Sequence, residues 1–317
     1  MIRKFVVLMA VCVMVAGVVT AYGGVGSYAR EYASSQHLTR TITQDELALL
    51  VLSGDDTKIQ YGGVAITIPI GVLAALYDAE NAQSITVSVA VTQPTASQLE
   101  NGKLLAVSIT LYVGNGRLHD IEIADAITIA LSLEDFSLEE LGFNPHKIAS
   151  WFGEILMGGR YNAADNVFVA QTRLVGEIVI AYTANLARVS LNLASHTIYA
   201  LSSNIDSIKM DVLPIIQNGG VLLPVRFLAY ALGAEITWTD ATDYEPLIVH
   251  LVRGDTTLSF GIGEMSAELE GFGMDVPAQI VDGRVMVPLR FVGGFFHATT
   301  DWDGNSRSIE VVWPLRP

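Results

Sequence analysis

The sequence predicts a mainly β protein with an α+β part: an N-terminal β-sandwich followed by a duplicated ββαββ-like module. Two observations support this fold class. Short runs of β-branched residues, separated by Gly, Asn, Asp and Pro, fill residues 48–201, as a sandwich requires. Farther along, VLLPVRFLAYALGAEITW (221–238) returns 64 positions later as VMVPLRFVGGFFHATTDW (285–302). The chain therefore repeats one structural unit.

Composition limits the range of partners. A chain of 317 residues with 51% hydrophobic residues can fill the cores of two or more domains. Its formal net charge of −15 repels phosphate backbones, so we expect no nucleic-acid partner. Charge of this sign keeps a protein soluble, and binding of cations or basic partners is the alternative.

Residues 1–21 have the pattern of an export signal. Arg3-Lys4 precede an uninterrupted apolar run over residues 5–19, and Val19-Thr20-Ala21 offers a small-residue cleavage site. We expect the mature chain to start near Tyr22, with a second possible cut after Ala29. The predicted location is secreted or cell-surface associated, and membrane contact would arise only through this segment if it stays uncleaved.

The single cysteine, Cys12, lies inside the apolar run. A cleaved chain would therefore contain no thiol for a disulfide, a metal or a nucleophile. We expect no cofactor, and we expect packing alone to stabilise the fold.

The pattern along the chain divides it into segments. The predicted divisions are a signal peptide (1–21), a polar leader (22–47), a β-sandwich (48–201), a linker (202–206) and the module (207–313), with repeats at 207–252 and 256–313.

Local signals refine the sandwich. Turns are expected at 114–116 (GNG) and 162–166 (NAADN), because Gly and Asn tolerate positive φ. The capping-box spacing from Ser137 to Glu140, followed by Gly142 and Pro145, predicts one short helix.

Three stretches of the sandwich region suggest a relationship: GGVAITIPIGVLAAL (62–76), WFGEILMGGRYNAADNVFVAQT (151–172) and SHTIYAL (195–201). They resemble the zonula-occludens/netrin-receptor type of β-sandwich found in bacterial surface proteins. The resemblance implies a scaffold or interaction module and carries no catalytic residues.

Each repeat has the same predicted order of elements. A strand ends in the turn pair Asn218-Gly219 or Asp282-Gly283, and the next strand leads into a proline at the start of an apolar helix. Gly233 stops the first helix, whereas Gly293-Gly294 inside the second predicts a looser helix or a close backbone contact. A strand ending in tryptophan, a polar turn and a last strand complete the unit.

The repeated P-[VL]-R-F, apolar helix and tryptophan strand resemble the copper amine oxidase N-terminal-like domain over about residues 204–313. This resemblance implies a stalk domain of an exported protein from a Gram-positive bacterium. The chain has Tyr230 and Gly294 where the family often has Glu, and His297 where it usually has Gly.

Amine oxidase chemistry is not expected. The nearest approach to the cofactor tyrosine motif is Asp243-Tyr244-Glu245, which lacks the required Asn. The six histidines are isolated, without metal-site spacing.

Four residues are candidate ligand contacts: Arg226, Trp238, Arg290 and Trp302. Guanidiniums suit carboxylates or sugars, and indoles stack on sugar rings. The alternative is a purely structural role, in which each arginine pairs within its own unit and each tryptophan packs in the core, and this role is favoured. DWDGNS (301–306) and RGD (253–255) are predicted as turns rather than as a calcium loop and an adhesion motif.

The sequence thus favours an exported, non-enzymatic stalk or scaffold protein of the cell surface or cell wall. Its partners would be cell-wall polysaccharide or other envelope proteins. The alternative is a carbohydrate-binding, peptidoglycan-binding or wall-processing protein that uses Trp238, Trp302 and acidic residues.

Overall fold

A computed structural model describes residues 35–80, 83–113, 116–118, 122–202, 206–243, 246–265 and 273–315. The predicted export signal, Cys12, the first part of the leader and the pair Tyr244-Glu245 lie outside these ranges, as do residues 203–205 of the predicted linker. All described residues belong to one compact unit.

The first part of the chain is a two-sheet structure with short helices at its margins. Its elements are β1 (Ser35–Thr43), α1 (Gln44–Ser53), β2 (Thr57–Tyr61), β3 (Val64–Ile68), α2 (Ile70–Glu80), β4 (Ser84–Thr92), α3 (Ala96–Glu100), β5 (Lys103–Val113), β6 (Gly116–Leu118), β7 (Glu122–Ser132), a 3-10 turn (Pro145–Lys147), β8 (Ile148–Phe152), β9 (Ile155–Gly158), β10 (Arg160–Asn162), β11 (Val167–Leu174) and β12 (Glu177–Tyr182).

The two sheets enclose one apolar core. One sheet has the order β1-β4-β5-β12-β8-β9, with β6 beside β5, and the other has the order β10-β11-β7-β3-β2. Strand β4 illustrates how each sheet turns one apolar face to this core. Its residues Ile85, Val87, Val89 and Val91 are buried, whereas the residues between them are partly exposed. They pack with apolar side chains of β3, β7 and β11 in a single cluster. The predicted sandwich architecture is confirmed.

Two local predictions in this part are wrong. Residues 35–47 are not a leader, because β1 pairs along its whole length with β4 and continues into α1. The helix predicted from Ser137 onward does not form: residues 138–142 are turns, and Gly142 adopts a left-handed φ of 67°. The backbone amide of the next residue, Phe143, donates a hydrogen bond to the carbonyl of Leu138. The chain therefore does not continue into a second helical turn.

Most turn predictions are confirmed. Residues 163–166 connect β10 and β11, and Asn166 has a φ of 51°. Residues 114–115 lie outside the described residues, although the strands on either side of them pair as a hairpin.

The second part of the chain contains two similar sets of elements. They are β13 (Leu186–Asn192), β14 (Thr197–Ala200), β15 (Ile208–Lys209), β16 (Ile215–Gln217), β17 (Gly220–Pro224), α4 (Val225–Leu232), β18 (Glu235–Thr239), β19 (Ile248–Arg253), β20 (Thr256–Gly261), β21 (Gln279–Val281), β22 (Arg284–Pro288), α5 (Leu289–Phe295), β23 (Thr299–Asp303) and β24 (Ser308–Pro314).

Each repeat therefore has the predicted ββαββ order, but the repeats are interlocked. Strands β17 and β22 pair with each other in the sheet β16-β17-β22-β21, so the first hairpins of both repeats form one sheet. The last hairpins belong to different sheets, β18-β19-β20 and β15-β14-β13-β24-β23. Both helices join a common core, so neither packs only on the sheet of its own repeat.

The boundaries of the module also differ from the prediction. Strands β13 and β14, placed by sequence in the sandwich, pair instead with β24 and β15. Strand β20, assigned to the second repeat, pairs with β19 of the first. Gly254 and Asp255 of the RGD stretch form the predicted turn, while Arg253 ends β19. In the DWDGNS stretch the turn occupies residues 304–307, and residues 301–303 belong to β23.

Both module helices are buried, as their sequences predict. The buried residues of α4 include Leu228 and Leu232, and those of α5 include Phe291 and Phe295. Helix α5 is intact despite its two glycines, and a Cβ at Gly294 would meet nothing within 4 Å. None of the helices in the described ranges is both long and apolar enough to cross a bilayer.

The helix ends are equivalent in backbone but not in residue type. After α4 the chain turns at Gly233, with φ of 68°, and after α5 it turns at His297, with φ of 58°. In each case the following amide, that of Ala234 or Ala298, donates to a helix carbonyl at 2.8 Å. A left-handed backbone suits glycine and strains other L-residues.

We expect His297→Gly to raise the free energy of unfolding by about 1 kcal/mol, because it removes this strain. The matched substitution Gly233→Ala should lower it by about 1 kcal/mol through backbone strain alone, since no atom lies within 4 Å of the added Cβ. Urea denaturation measures both changes. If His297→Gly lowers the free energy of unfolding instead, the contacts of the imidazole stabilise the protein by more than the left-handed backbone destabilises it.

Candidate functional site

The five-stranded sheet β15-β14-β13-β24-β23 has one face in the module core and the other against the sandwich. Val189 and Val311 face the module core. The residues that alternate with them, Leu186 and Val312, pack with Ala149 of the sandwich in a small separate cluster. The same face also carries charged residues, namely Arg188 of β13, Asp301 and Asp303 of β23, and Glu310 of β24. The junction between the two parts is therefore partly apolar and partly ionic.

Arg188 of β13 is the centre of the ionic part, with 0% of its side chain exposed. Its guanidinium donates to the backbone carbonyls of His146 at 2.9 Å and Ile148 at 2.8 Å, and also to that of Gly159. It also donates to the Glu310 carboxylate at 2.7 Å. Burial lowers the pKa of Arg188, and the Glu310 carboxylate opposes that effect.

Arg160 of β10 forms a second layer over this pair. Its guanidinium lies 3.3 Å from carboxylate oxygens of Asp301 and Asp303, and 3.5 Å from Glu310. It also donates to the Asp301 carbonyl at 3.2 Å. One sandwich arginine thus contacts three carboxylates of the second repeat.

Asp303 also holds the β23–β24 turn. Its carboxylate accepts a hydrogen bond from the Ser306 hydroxyl at 2.6 Å and another from the Asn305 amide at 3.0 Å. These bonds, led by that of Ser306, and the nearby Arg160 charge lower the pKa of Asp303. The carboxylate is therefore an ionised acceptor at neutral pH.

His146 lies beside this network, with its ring edge-on to Tyr161 at 5.5 Å between centroids. Burial lowers the pKa of His146, the Arg188 charge lowers it further, and the Glu310 carboxylate acts in the opposite direction. A neutral imidazole is therefore the form compatible with the folded junction.

A polar cleft of about 1130 Å³ opens beside the ionic network. Strand β11 contributes Val169, Gln171 and Arg173, and the β23–β24 hairpin contributes Trp302 and Asn305. The three carboxylates that contact Arg160 also line it.

The predicted ligand contacts do not converge. Trp302 lines the cleft, whereas Trp238, Arg226 and Arg290 do not. The expectation that both indoles pack in the core is wrong: Trp238 is 54% and Trp302 is 47% exposed, because each lies on an edge strand of its sheet. The role of the four residues as ligand contacts stays a prediction.

The arginines also differ from expectation. Arg226 and Arg290 are exposed at the starts of α4 and α5, and neither side chain makes a hydrogen bond or an ion pair within the described ranges. The expected pairing inside each repeat is therefore wrong. Arg226 contributes only a minor part of the lowered pKa of Asp211, which Arg284 dominates through a side-chain hydrogen bond.

Sequence reasoning missed the residues that form the ionic network. Arg188 interrupts an otherwise small or apolar strand, LARVSLN, and a charged residue at such a position is a signal for a buried pair. Nothing in the sequence identified Glu310 or Arg160 as its neighbours. In the part of the chain that the structure describes, no group of three or more His, Cys, Asp or Glu side chains could hold a metal ion.

The part of the chain that contains the interlocked ββαββ repeats is similar to a known family. Residues 180–311 match the family model described as the copper amine oxidase N-terminal domain. The match confirms the predicted resemblance and extends it toward the N-terminus, so that it includes β13 and β14. No curated protein and no solved structure matches the chain. The resemblance of the first part to the zonula-occludens/netrin-receptor type stays a prediction.

The lowered pKa of His146 gives stability a predictable pH dependence. As the pH falls, the unfolded chain protonates this imidazole near its ordinary pKa of 6.5, whereas the folded chain protonates it only at lower pH. Stability is therefore lost as the pH falls below about 6.5. We expect the free energy of unfolding to fall between pH 7.5 and 5.5, and His146→Gln to reduce that slope.

Urea denaturation at several pH values measures the slope. The reference is the slope of the unmodified protein, measured under the same conditions. An unchanged slope in His146→Gln would contradict the assignment.

Proposed function

We propose that the protein is an exported, non-enzymatic scaffold of the cell surface or cell wall, in which a β-sandwich is held in a fixed orientation on a stalk-type module. The family of the second part supports the non-catalytic role. The pattern of residues 1–21 supports export. Cell-wall polysaccharide and other envelope proteins are the proposed partners.

The observation that carries this proposal is the pairing of Arg188 and Arg160 with every carboxylate of the junction cleft. Such pairing fixes the orientation of two packed parts. It also opposes acid catalysis, because a proton donor must hold its proton near neutral pH and an adjacent guanidinium favours the ionised carboxylate. The pairing therefore favours structural support over wall processing.

The export part of the proposal is tested by fractionating cells that produce the full chain. We expect the protein in the envelope or culture fraction, with its N-terminus near Tyr22, as read by mass spectrometry. Val13→Asp interrupts the apolar run and should keep the chain in the cytoplasm. Unmodified protein found in the cytoplasm with residues 1–21 intact would contradict export.

A further inference from the structure

One short segment connects the sandwich to the module. Strand β12 ends at Tyr182 and β13 begins at Leu186, so residues 183–185 form the connection. In the described ranges, every strand of the two sandwich sheets precedes this segment and every strand of the three module sheets follows it. The position of one part relative to the other therefore depends on this segment and on the contacts across the junction.

Each part has its own core, and the apolar contact between them is small. The buried cluster of the sandwich contains residues from 42 to 180, and that of the module contains residues from 187 to 313. The cluster that joins them has four buried residues, Ala149, Leu156, Leu186 and Val312. The cleft of about 1130 Å³ opens along the same boundary. Separation would expose little apolar surface, and each part would keep its core.

Charged groups cross the boundary in both directions. Arg188 of the module donates to three backbone carbonyls of the sandwich. Arg160 of the sandwich contacts three carboxylates of the module. Because the apolar contact is small, the strength of the junction depends on the balance of these charges.

His146 is placed where it can change this balance. Its backbone carbonyl accepts a hydrogen bond from Arg188 Nε at 2.9 Å, so the ring belongs to the same turn that the guanidinium holds. The charged and titratable groups on the elements around it are Arg188 of β13, Glu310 of β24, Arg160 and Tyr161 of β10, Asp301 and Asp303 of β23, and Lys147 of its own turn. A proton on the ring would add a third positive charge beside two guanidiniums at a partly buried position.

We propose that the junction is an acid-sensitive hinge, in which protonation of His146 releases the sandwich from the module about residues 183–185 while both parts stay folded. The lowered pKa of His146 has the matching sign: burial and the Arg188 charge disfavour the charged ring in the closed form, and Glu310 opposes them. Separation removes Arg188 and returns the imidazole toward its ordinary pKa of 6.5. Protons therefore favour the separated form as the pH falls below about 6.5.

Pulsed electron paramagnetic resonance on the full chain tests the proposal. Spin labels at Asp55→Cys and Asp255→Cys, both exposed, report the distance between sandwich and module, and Cys12→Ser removes the native thiol. We expect one narrow distance distribution at pH 7.5 and a second, broader one at pH 5, with an unchanged far-UV circular dichroism spectrum. The ratio of broad to narrow populations should rise about tenfold for each pH unit below 6.5 while the ring in the closed form stays neutral.

Three variants separate the role of His146 from other effects of acid. His146→Gln should keep the narrow distribution at pH 5. The matched control is His196→Gln, an exposed histidine that lines a different depression with Asp211 and Arg284, and it should respond as the unmodified protein does. Arg188→Met should show the broad distribution already at pH 7.5, which keeps the test decisive if His146→Gln fails to fold.

Four results would overturn the proposal. They are a narrow distribution in the unmodified protein at pH 5, an equal acid response in His146→Gln, a narrow distribution in Arg188→Met at pH 7.5, and loss of the circular dichroism signal together with broadening, which would indicate global unfolding. The inference does not depend on export. A junction that stays closed in acid would leave the scaffold proposal intact, so the two proposals fail separately.

Discussion

The buried charge of Arg188 is the constraint on which the arrangement of the two parts depends. A guanidinium without exposed surface is costly by several kcal/mol unless it is paired and its donors are satisfied. Here the donors meet three backbone carbonyls of the sandwich and the Glu310 carboxylate of the second repeat. Arg188 itself belongs to β13, within the region of the family match. Moving the sandwich away from the module would leave this charge without most of its partners.

The junction gives the cleft its form. The same displacement that would unpair Arg188 would also separate Arg160 from the β23–β24 hairpin. The cleft exists because a sandwich strand and a module hairpin are held side by side. A repeat module without a preceding sandwich would carry the exposed tryptophans but not the sandwich side of the cleft. Structural support and the form of the cleft thus depend on one network.

The sequence predicted local structure well where a periodic pattern acts alone. The run of β-branched residues in β4 predicts a strand. Asn218-Gly219 and Asp282-Gly283 predict turns because these residues tolerate positive φ, which both pairs adopt. Prediction failed where pairing between distant segments decides the outcome. The polar residues of β1 are ordered by β4, about 50 positions away in register, which no local pattern encodes.

The candidate site was less predictable than the fold. Trp238 and Trp302 occur in strands that the sequence predicts. Their exposure depends on whether each strand lies at a sheet edge, and long-range pairing decides which strands are edges. Arg188 and Glu310 are 122 residues apart in the chain, so their contact is invisible to spacing rules. Arg226 and Arg290 are candidates because the same arginine recurs in both repeats. The arginines that contact the junction carboxylates are not repeated in this way.

The most direct test of the account is the free energy of unfolding in urea for Arg188→Met beside that of Arg173→Met, an exposed arginine of the same cleft. The account predicts a loss of about 3–5 kcal/mol for Arg188→Met, because Glu310 and three carbonyls lose their donor, and a change below about 0.5 kcal/mol for Arg173→Met. Equal, small effects of both substitutions would contradict the claim that the buried guanidinium joins the two parts.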